Sequence, residues 1–264
     1  MKTTTQTFKI QDPRSGEIQN VNAGELKRLF DQEGVIVFPA FYDKELDAVN
    51  REMEQFFAPY QAEADAKSGV SEGASKHGCD VIPWNPLETN NEVFRALRDG
   101  EKLVETTSAV LGQGFTAPSS LVMFCVGGGR GQAWHQDCPA GEGEGYNLNR
   151  LIYTEDVDRQ AGSIVFVPGS HRTGRIPPGG HQDPMPNEVV LEPRAGTLVF
   201  LHGHVFHRVT PNLYLKPRIS VNFRAYPKGV DPDVNCIGVY RNEEVYFCDT
   251  PKHHDGSPAD QEDS

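Results

Sequence analysis

From Ala117 onward the chain is a series of short apolar runs divided by turn residues, and that pattern leaves few folds open. The runs fall at 121–126, 149–153, 163–167, 188–191, 197–201 and 218–223. Each has the length of a buried strand and is too short for a helix. Strands at this density predict a sandwich or jelly roll. The N-terminal part reads differently. Asn22 or Asn20 caps a helix expected over 23–32, with Leu26, Leu29 and Phe30 on one face. Gly34 ends it, and Val35, Ile36, Val37 and Phe38 form a buried strand stopped by Pro39. Asp43 opens a second amphipathic helix carrying Leu46, Val49, Met53, Phe56 and Phe57. A third is expected over 92–111.

Residues 59–92 are rich in Ala, Gly, Ser, Glu and Asn, with Pro83 and Pro86 around Trp84. So long a loop in a compact domain is disordered or functional, and a lid is expected here. The whole reads as one domain. A supporting part spans 1–116, the β core spans 117–228, and an extension with a polar, frayed tail from Thr250 fills 229–264.

Composition narrows the partners. At 264 residues the chain suits one large β or mixed domain, or two small ones. Its formal net charge of −12 disfavours nucleic acid and anionic membranes. No stretch approaches the ~20 apolar residues of a membrane span. The opening residues lack the apolar run of a secretory signal. Five cysteines (Cys79, Cys125, Cys138, Cys236 and Cys248) show no zinc-finger spacing, and an odd number leaves a disulfide framework incomplete. A cytoplasmic setting is expected.

The chemistry centres on His135-Gln136-Asp137. On a strand, residues two apart face the same way, so His135 and Asp137 point together while Gln136 points elsewhere. Two imidazoles and one carboxylate are the usual ligand set for non-heme iron(II) with positions left open. The third ligand must come from a distant strand, and His202, His204 and His207 are the candidates. Arg218 follows them, and a guanidinium holds a carboxylate in a two-pronged fork. Ser220 shares its face and could add a hydroxyl hydrogen bond; a core-facing serine is the plainer reading. Asn149 and Arg150 lie on opposite faces of one strand, and either could reach cosubstrate or substrate. Trp134 lines the pocket or packs behind it. His171 reads as structural. Gly127, Gly128, Gly129 and Gly131 make no phosphate loop, because no helix start or Lys-Ser/Thr follows. They read as a mobile hairpin near the metal.

Four motifs stand in order along the chain. They are Ala133-Trp134-His135-Gln136-Asp137, then Ala161-Gly162-Ser163 leading into Val167-Pro168-Gly169-Ser170-His171-Arg172, then Ala195-Gly196-Thr197-Leu198-Val199-Phe200, then His207-Arg208-Val209-Thr210-Pro211-Asn212 with Arg218. The stretch containing them resembles the phytanoyl-CoA dioxygenase family of iron(II)- and 2-oxoglutarate-dependent oxygenases. The family's opening, a helix followed by Gly34-Val35-Ile36-Val37-Phe38-Pro39, is also present in outline. The resemblance implies a double-stranded β-helix, or jelly-roll, cupin-like core with flanking helices. It implies His135, Asp137 and His207 as iron ligands, and Arg218 as partner of the distal carboxylate of 2-oxoglutarate. It favours His207 over His204 and His202. It further implies oxidation of a substrate C–H bond with dioxygen, releasing succinate and carbon dioxide. Hydroxylation is the default; desaturation, cyclisation and epoxidation use the same cofactors. Asp137 disfavours halogenation, since related halogenases carry a small residue there.

The substrate is the least legible part. The expected partner is a small metabolite or natural-product intermediate. Trp84, Trp134 and Arg150 are the candidate contacts, with Arg130 and Arg224 as further cations for a carboxylate. The rival readings are a cupin-type metal enzyme without 2-oxoglutarate and a jelly-roll binding protein without catalysis. Arg218 argues against the first, and a complete ligand set argues against the second.

Overall fold

The computed structural model describes residues 6–67, 81–138, 145–232 and 239–241. The chain opens with a hairpin, β1 (Thr7–Gln11) and β2 (Ile18–Asn22), followed by α1 (Ala23–Glu33) and β3 (Val35–Phe38). Next come α2 (Leu46–Lys67), β4 (Val81–Trp84), α3 (Glu92–Arg98) and α4 (Glu101–Leu111). The remaining strands are β5 (Thr116–Cys125), β6 (Gln132–Gln136), β7 (Leu148–Tyr153), β8 (Ile164–Phe166) and β9 (Val189–Val190). Then follow β10 (Leu198–His202), β11 (His207–Val209), β12 (Arg218–Tyr226) and β13 (Val239–Tyr240).

All strand pairs are antiparallel. One sheet has the order β2-β1-β3-β10-β7-β12-β5-β4, the other β13-β6-β11-β8-β9. Most sheet neighbours are distant in sequence, and the chain crosses repeatedly from one sheet to the other. This is the expected jelly roll with flanking helices.

Alternation along the central strands divides the larger sheet into two chemistries. On β12, Val221 and Phe223 join the hydrophobic cluster beneath the helices, whereas Arg218, Ser220, Asn222 and Arg224 line a cavity between the sheets. On the helical side, Phe57 stacks on Phe124 at 4.7 Å, and Phe94 meets Phe223 edge-on at 6.5 Å. Each such ring, fully buried, is worth roughly 1.5–3 kcal/mol. That face therefore anchors the sheet and frees its other face for polar groups.

Local signals explain α1. Asn22, not Asn20, is the cap: its side chain accepts from the Glu25 N–H at 3.0 Å. Gly34 ends the helix at φ 69°, where a side chain is strained, and its N–H donates to the Phe30 carbonyl.

Four elements differ from the sequence reading. The β1–β2 hairpin was not expected. Helix α2 runs through Pro59 to Lys67, so the expected loop loses its first part to helix. Met53, Phe57 and Tyr60 are buried on either side of the proline, and their packing outweighs the lost hydrogen bond. The far end of that loop holds strand β4, paired with β5. The single helix expected over 92–111 is two helices, broken at Asp99 and Gly100. Residues 68–80, the middle of the expected lid, and the tail from Thr250 lie outside the described residues. The glycines before β6 have a packing reason. A Cβ on Gly127 would collide with the Leu215 carbonyl, and one on Gly131 with the Val209 carbonyl.

Candidate metal centre and its cavity

His207 lies directly across from His135 in the β6–β11 pair. Their ring centroids are 4.0 Å apart. Asp137 follows β6 by one residue, and its N–H donates to the Gly203 carbonyl at 2.8 Å, which turns it towards the same point. Its Oδ1 is 3.7 Å from His135 Nε2, and its Oδ2 is 3.7 Å from His207 Nε2. One ligand atom from each of the three residues falls within 4.8 Å of the others.

The donor set fits a divalent metal. His135 Nδ1 sits 2.8 Å from the Ala133 carbonyl, and His207 Nδ1 sits 2.9 Å from the Val205 carbonyl. A carbonyl only accepts, so Nδ1 carries the proton in each ring and the Nε2 lone pairs are left for a ligand. Burial, with the neighbouring His207, pushes His135 down to about 3, so it stays neutral. Burial pushes the Asp137 carboxyl up, but Arg224, the two imidazoles and Asn149 outweigh it and hold it at about 2. The centre thus offers one Nε2 lone pair from each imidazole and one carboxylate, the donor set that binds a divalent metal.

A second polar end lies across the cavity, whose volume is about 220 Å³. Arg218 and Ser220 are buried, and among the described residues Arg218 Nε and Ser220 Oγ have no hydrogen-bond partner. Buried polar groups left unpaired are costly, so these two point to an absent acceptor. Arg218 Nη2 donates to Cys125 Sγ at 2.8 Å. Behind the guanidinium, Gly162 at φ 81° would place a Cβ 3.3 Å from Arg218 Nε. Tyr153 faces Ser220 across the β7–β12 pair. Burial pushes its hydroxyl up to about 12, against the pull of Arg218, so it remains a neutral phenol. Leu121, Met123, Leu151, Ile164 and Leu201 supply the apolar walls.

Of the residues singled out in the sequence, His135, Asp137, His207, Arg218, Ser220 and Asn149 all line this cavity. Trp84, Trp134 and Arg150 do not, which corrects them as substrate contacts. Trp84 is stacked on Phe56 at 4.2 Å, beneath the helices. Trp134 is fully buried on the outer side of the smaller sheet; its indole N–H donates to the Asp183 carbonyl at 2.7 Å. Arg150 is fully buried on the helical side, where its Nε donates to the Phe223 carbonyl at 2.9 Å. Burial pushes its guanidinium down to about 10.

His202 stacks on Tyr146 at 3.8 Å and accepts the His204 N–H at 3.1 Å, and neither histidine lines the cavity. Gln136 turns away, as expected, and joins the His204 carbonyl to the Ile176 N–H. His171 ties the 3-10 turn to the Asp31 carbonyl at 3.1 Å.

Three cavity residues had no strong sequence signal. Arg224 was only one of several candidate cations, yet its Nη2 lies 3.2 Å from Asp137 Oδ1. Asn222 and Tyr153 were not singled out. Their positions two and four residues beyond Ser220 and Asn149 were the one available cue.

A match to the phytanoyl-CoA dioxygenase (PhyH) family model spans residues 30–220 and includes every one of the triad residues. The chain belongs to this family. Dioxygenase hkm4 of Aspergillus hancockii is 28% identical over 199 residues, which is 68% of this chain and 63% of that protein. The chain therefore spans under two thirds of that relative's length. Two solved structures share the fold. The epimerase SnoN, in complex with Fe3+, alpha ketoglutarate and nogalamycin RO, has a TM-score of 0.54 at 18% identity, covering 91% of this chain and 96% of its own. HygX of Streptomyces hygroscopicus, with nickel, 2-oxoglutarate and hygromycin B bound, has a TM-score of 0.60 at 16% identity, covering 78% and 87%. The family match and the two solved structures thus agree with the jelly-roll fold that surrounds the cavity. No helix among the described residues is long and apolar enough to cross a membrane.

Proposed function

We propose that the protein is an iron(II)- and 2-oxoglutarate-dependent dioxygenase that hydroxylates a C–H bond of a small molecule. The observation that carries this reading is the two-ended cavity. A triad of two imidazoles and a carboxylate stands at one point, and an arginine and serine with unmet hydrogen bonds stand at another. A metal enzyme without a keto acid has no need for a buried guanidinium whose Nε lacks a partner there.

In this reading His135, Asp137 and His207 hold the metal. Arg218 and Ser220 take the far carboxylate of 2-oxoglutarate, which fixes its distance and angle from the triad. Iron with 2-oxoglutarate and dioxygen supplies the oxidation of the C–H bond, coupled to release of succinate and carbon dioxide. Leu121, Met123 and Leu201 exclude water and position the substrate. Asp137 would supply a carboxylate ligand where related halogenases carry a small residue, which favours oxygenation over halogenation.

The substrate class is a natural-product intermediate. Support comes from SnoN and HygX, whose structures hold nogalamycin RO and hygromycin B, and from apolar walls that suit a carbon skeleton. The net charge of −12 disfavours a large polyanionic partner. The test is succinate formation from 2-oxoglutarate under air with iron(II), screened against small natural products. A compound that stimulates succinate release and gains one oxygen atom by mass supports the reading. Iron-independent release, or none with any preparation that binds iron and 2-oxoglutarate, contradicts it.

A further inference from the structure

Asn149 reads from sequence as a cosubstrate contact, but its neighbours give it a different task. Its Nδ2 donates to Asp137 Oδ2 at 2.5 Å, with longer approaches to Asn147 Oδ1 at 3.4 Å and the Leu201 carbonyl at 3.5 Å. Its Oδ1 accepts from Asn222 Nδ2 at 2.8 Å and from Arg224 Nε at 3.3 Å. Asn222 Oδ1 in turn accepts the backbone N–H of Arg150 at 3.1 Å. Arg224 closes the circuit by donating from Nη2 to Asp137 Oδ1 at 3.2 Å.

The polarity of this circuit is forced. A backbone N–H only donates, so the Asn222 oxygen must face Arg150 and its NH2 must face Asn149. A guanidinium also only donates, so the Asn149 oxygen must face Arg224 and Asn222. The Asn149 NH2 is left with one direction, towards Asp137. Asn149 and Asn222 are 1% and 4% exposed, so water cannot readily substitute for either.

We infer that Asn149 and Asn222 are positioning residues for Asp137: a relay that starts at a main-chain N–H of β7 and sets the angle at which the carboxylate meets the metal. This rests on the reading of His135, Asp137 and His207 as the metal ligands. Arg224 secures the other carboxylate oxygen and so belongs to the same clamp, not to a substrate site. Groups that orient a metal ligand from behind typically change metal affinity by about 10- to 100-fold when removed.

The experiment is a Mn(II) titration of the metal-free, full-length protein without 2-oxoglutarate, following the free ion by electron paramagnetic resonance. Asn149→Leu and Asn222→Leu keep side-chain volume, and each is expected to weaken Mn(II) by about 10- to 100-fold. Because Asn222 acts through Asn149, the double variant is expected to bind no more weakly than Asn149→Leu alone. The thermal-stability loss from Asn222→Leu persists in that double variant, since the Arg150 N–H loses its acceptor either way. Asn222→Thr offers that N–H a hydroxyl but is too short to reach Asn149, and it is expected to reproduce the loss of Mn(II) affinity if the leucine variant does not fold. Wild-type affinity in either folded Asn222 variant, or losses that add in the double variant, overturns the relay. His207→Ala separates the two claims. Undiminished Mn(II) binding there overturns the metal-site reading and the relay with it, whereas loss there with wild-type affinity in Asn222→Thr overturns the relay alone.

Discussion

His135 and His207 are register partners across the β6–β11 pair, each with Nδ1 on the carbonyl two residues before it. Two ligands separated by seventy-two positions are thereby fixed by one short stretch of sheet. A metal that binds this folded arrangement stabilises it, by about 2.7 kcal/mol at a hundredfold excess over Kd. Mn(II) is therefore expected to raise the melting temperature of the wild type by several degrees and to leave His135→Ala unmoved. Scanning calorimetry with and without the ion checks this.

Arg218 and Ser220 should divide the binding of 2-oxoglutarate unequally. Both would donate to a carboxylate, where a hydrogen bond is worth roughly 1.5–3 kcal/mol, but Arg218 adds a full opposite charge and a two-pronged fork whereas Ser220 offers one neutral hydroxyl. In the Mn(II)-loaded protein, Arg218→Ala is expected to weaken 2-oxoglutarate about 10- to 100-fold, and Ser220→Ala by less. Arg218→Lys falls between them, because it keeps the charge and loses the fork. Anaerobic calorimetric titration measures all three.

The fold class and the His135–Asp137 pair were legible because both follow from local pattern, whereas His207 was separated from His202 and His204 only by the family resemblance. Short apolar runs with turn residues announce strands, and His135 and Asp137 are two apart on an extended segment. What was not legible depends on partners remote in sequence. β4 is a strand only because β5 offers it an edge, and nothing in the polar stretch around it says so. Alternation separated Asn149 from Arg150 correctly, but both are fully or almost fully buried, so pattern could not say which faces the metal. Trp134 adjoins His135 in sequence and therefore points to the opposite face of β6.

That opposite placement predicts a separation of stability from function. Trp134→Phe removes the donor to the Asp183 carbonyl and weakens the ring beneath Arg208, which lies 5.2 Å from its centre. A loss of about 1–3 kcal/mol in unfolding free energy is expected, with 2-oxoglutarate affinity unchanged. Arg150→Met should likewise leave that affinity unchanged. Denaturant melts and titrations on the same preparations decide both.

His202 gives the metal-free protein an acid sensitivity. Burial holds it well below its ordinary value of 6.5, with His171 and His204 adding to the shift. Phe30 and Tyr146 pack against the same ring. A depressed folded-state value means that below about pH 6.5 the unfolded chain binds the proton first. Stability is then lost as pH falls through that value, at up to roughly 1.4 kcal/mol per unit for one proton. His202→Asn keeps an acceptor for the His204 N–H and cannot titrate, so its stability should fall less steeply between pH 7 and 5. Melting temperature against pH for the two proteins shows it.

The central claim, that this cavity holds iron and 2-oxoglutarate together, meets its most direct test in anaerobic addition of both to the metal-free protein. A visible charge-transfer band is expected in the wild type, and it should be lost in His207→Ala and strongly reduced in Arg218→Ala at the same 2-oxoglutarate concentration. No band in the wild type, or a band of full intensity in both variants, would contradict the account.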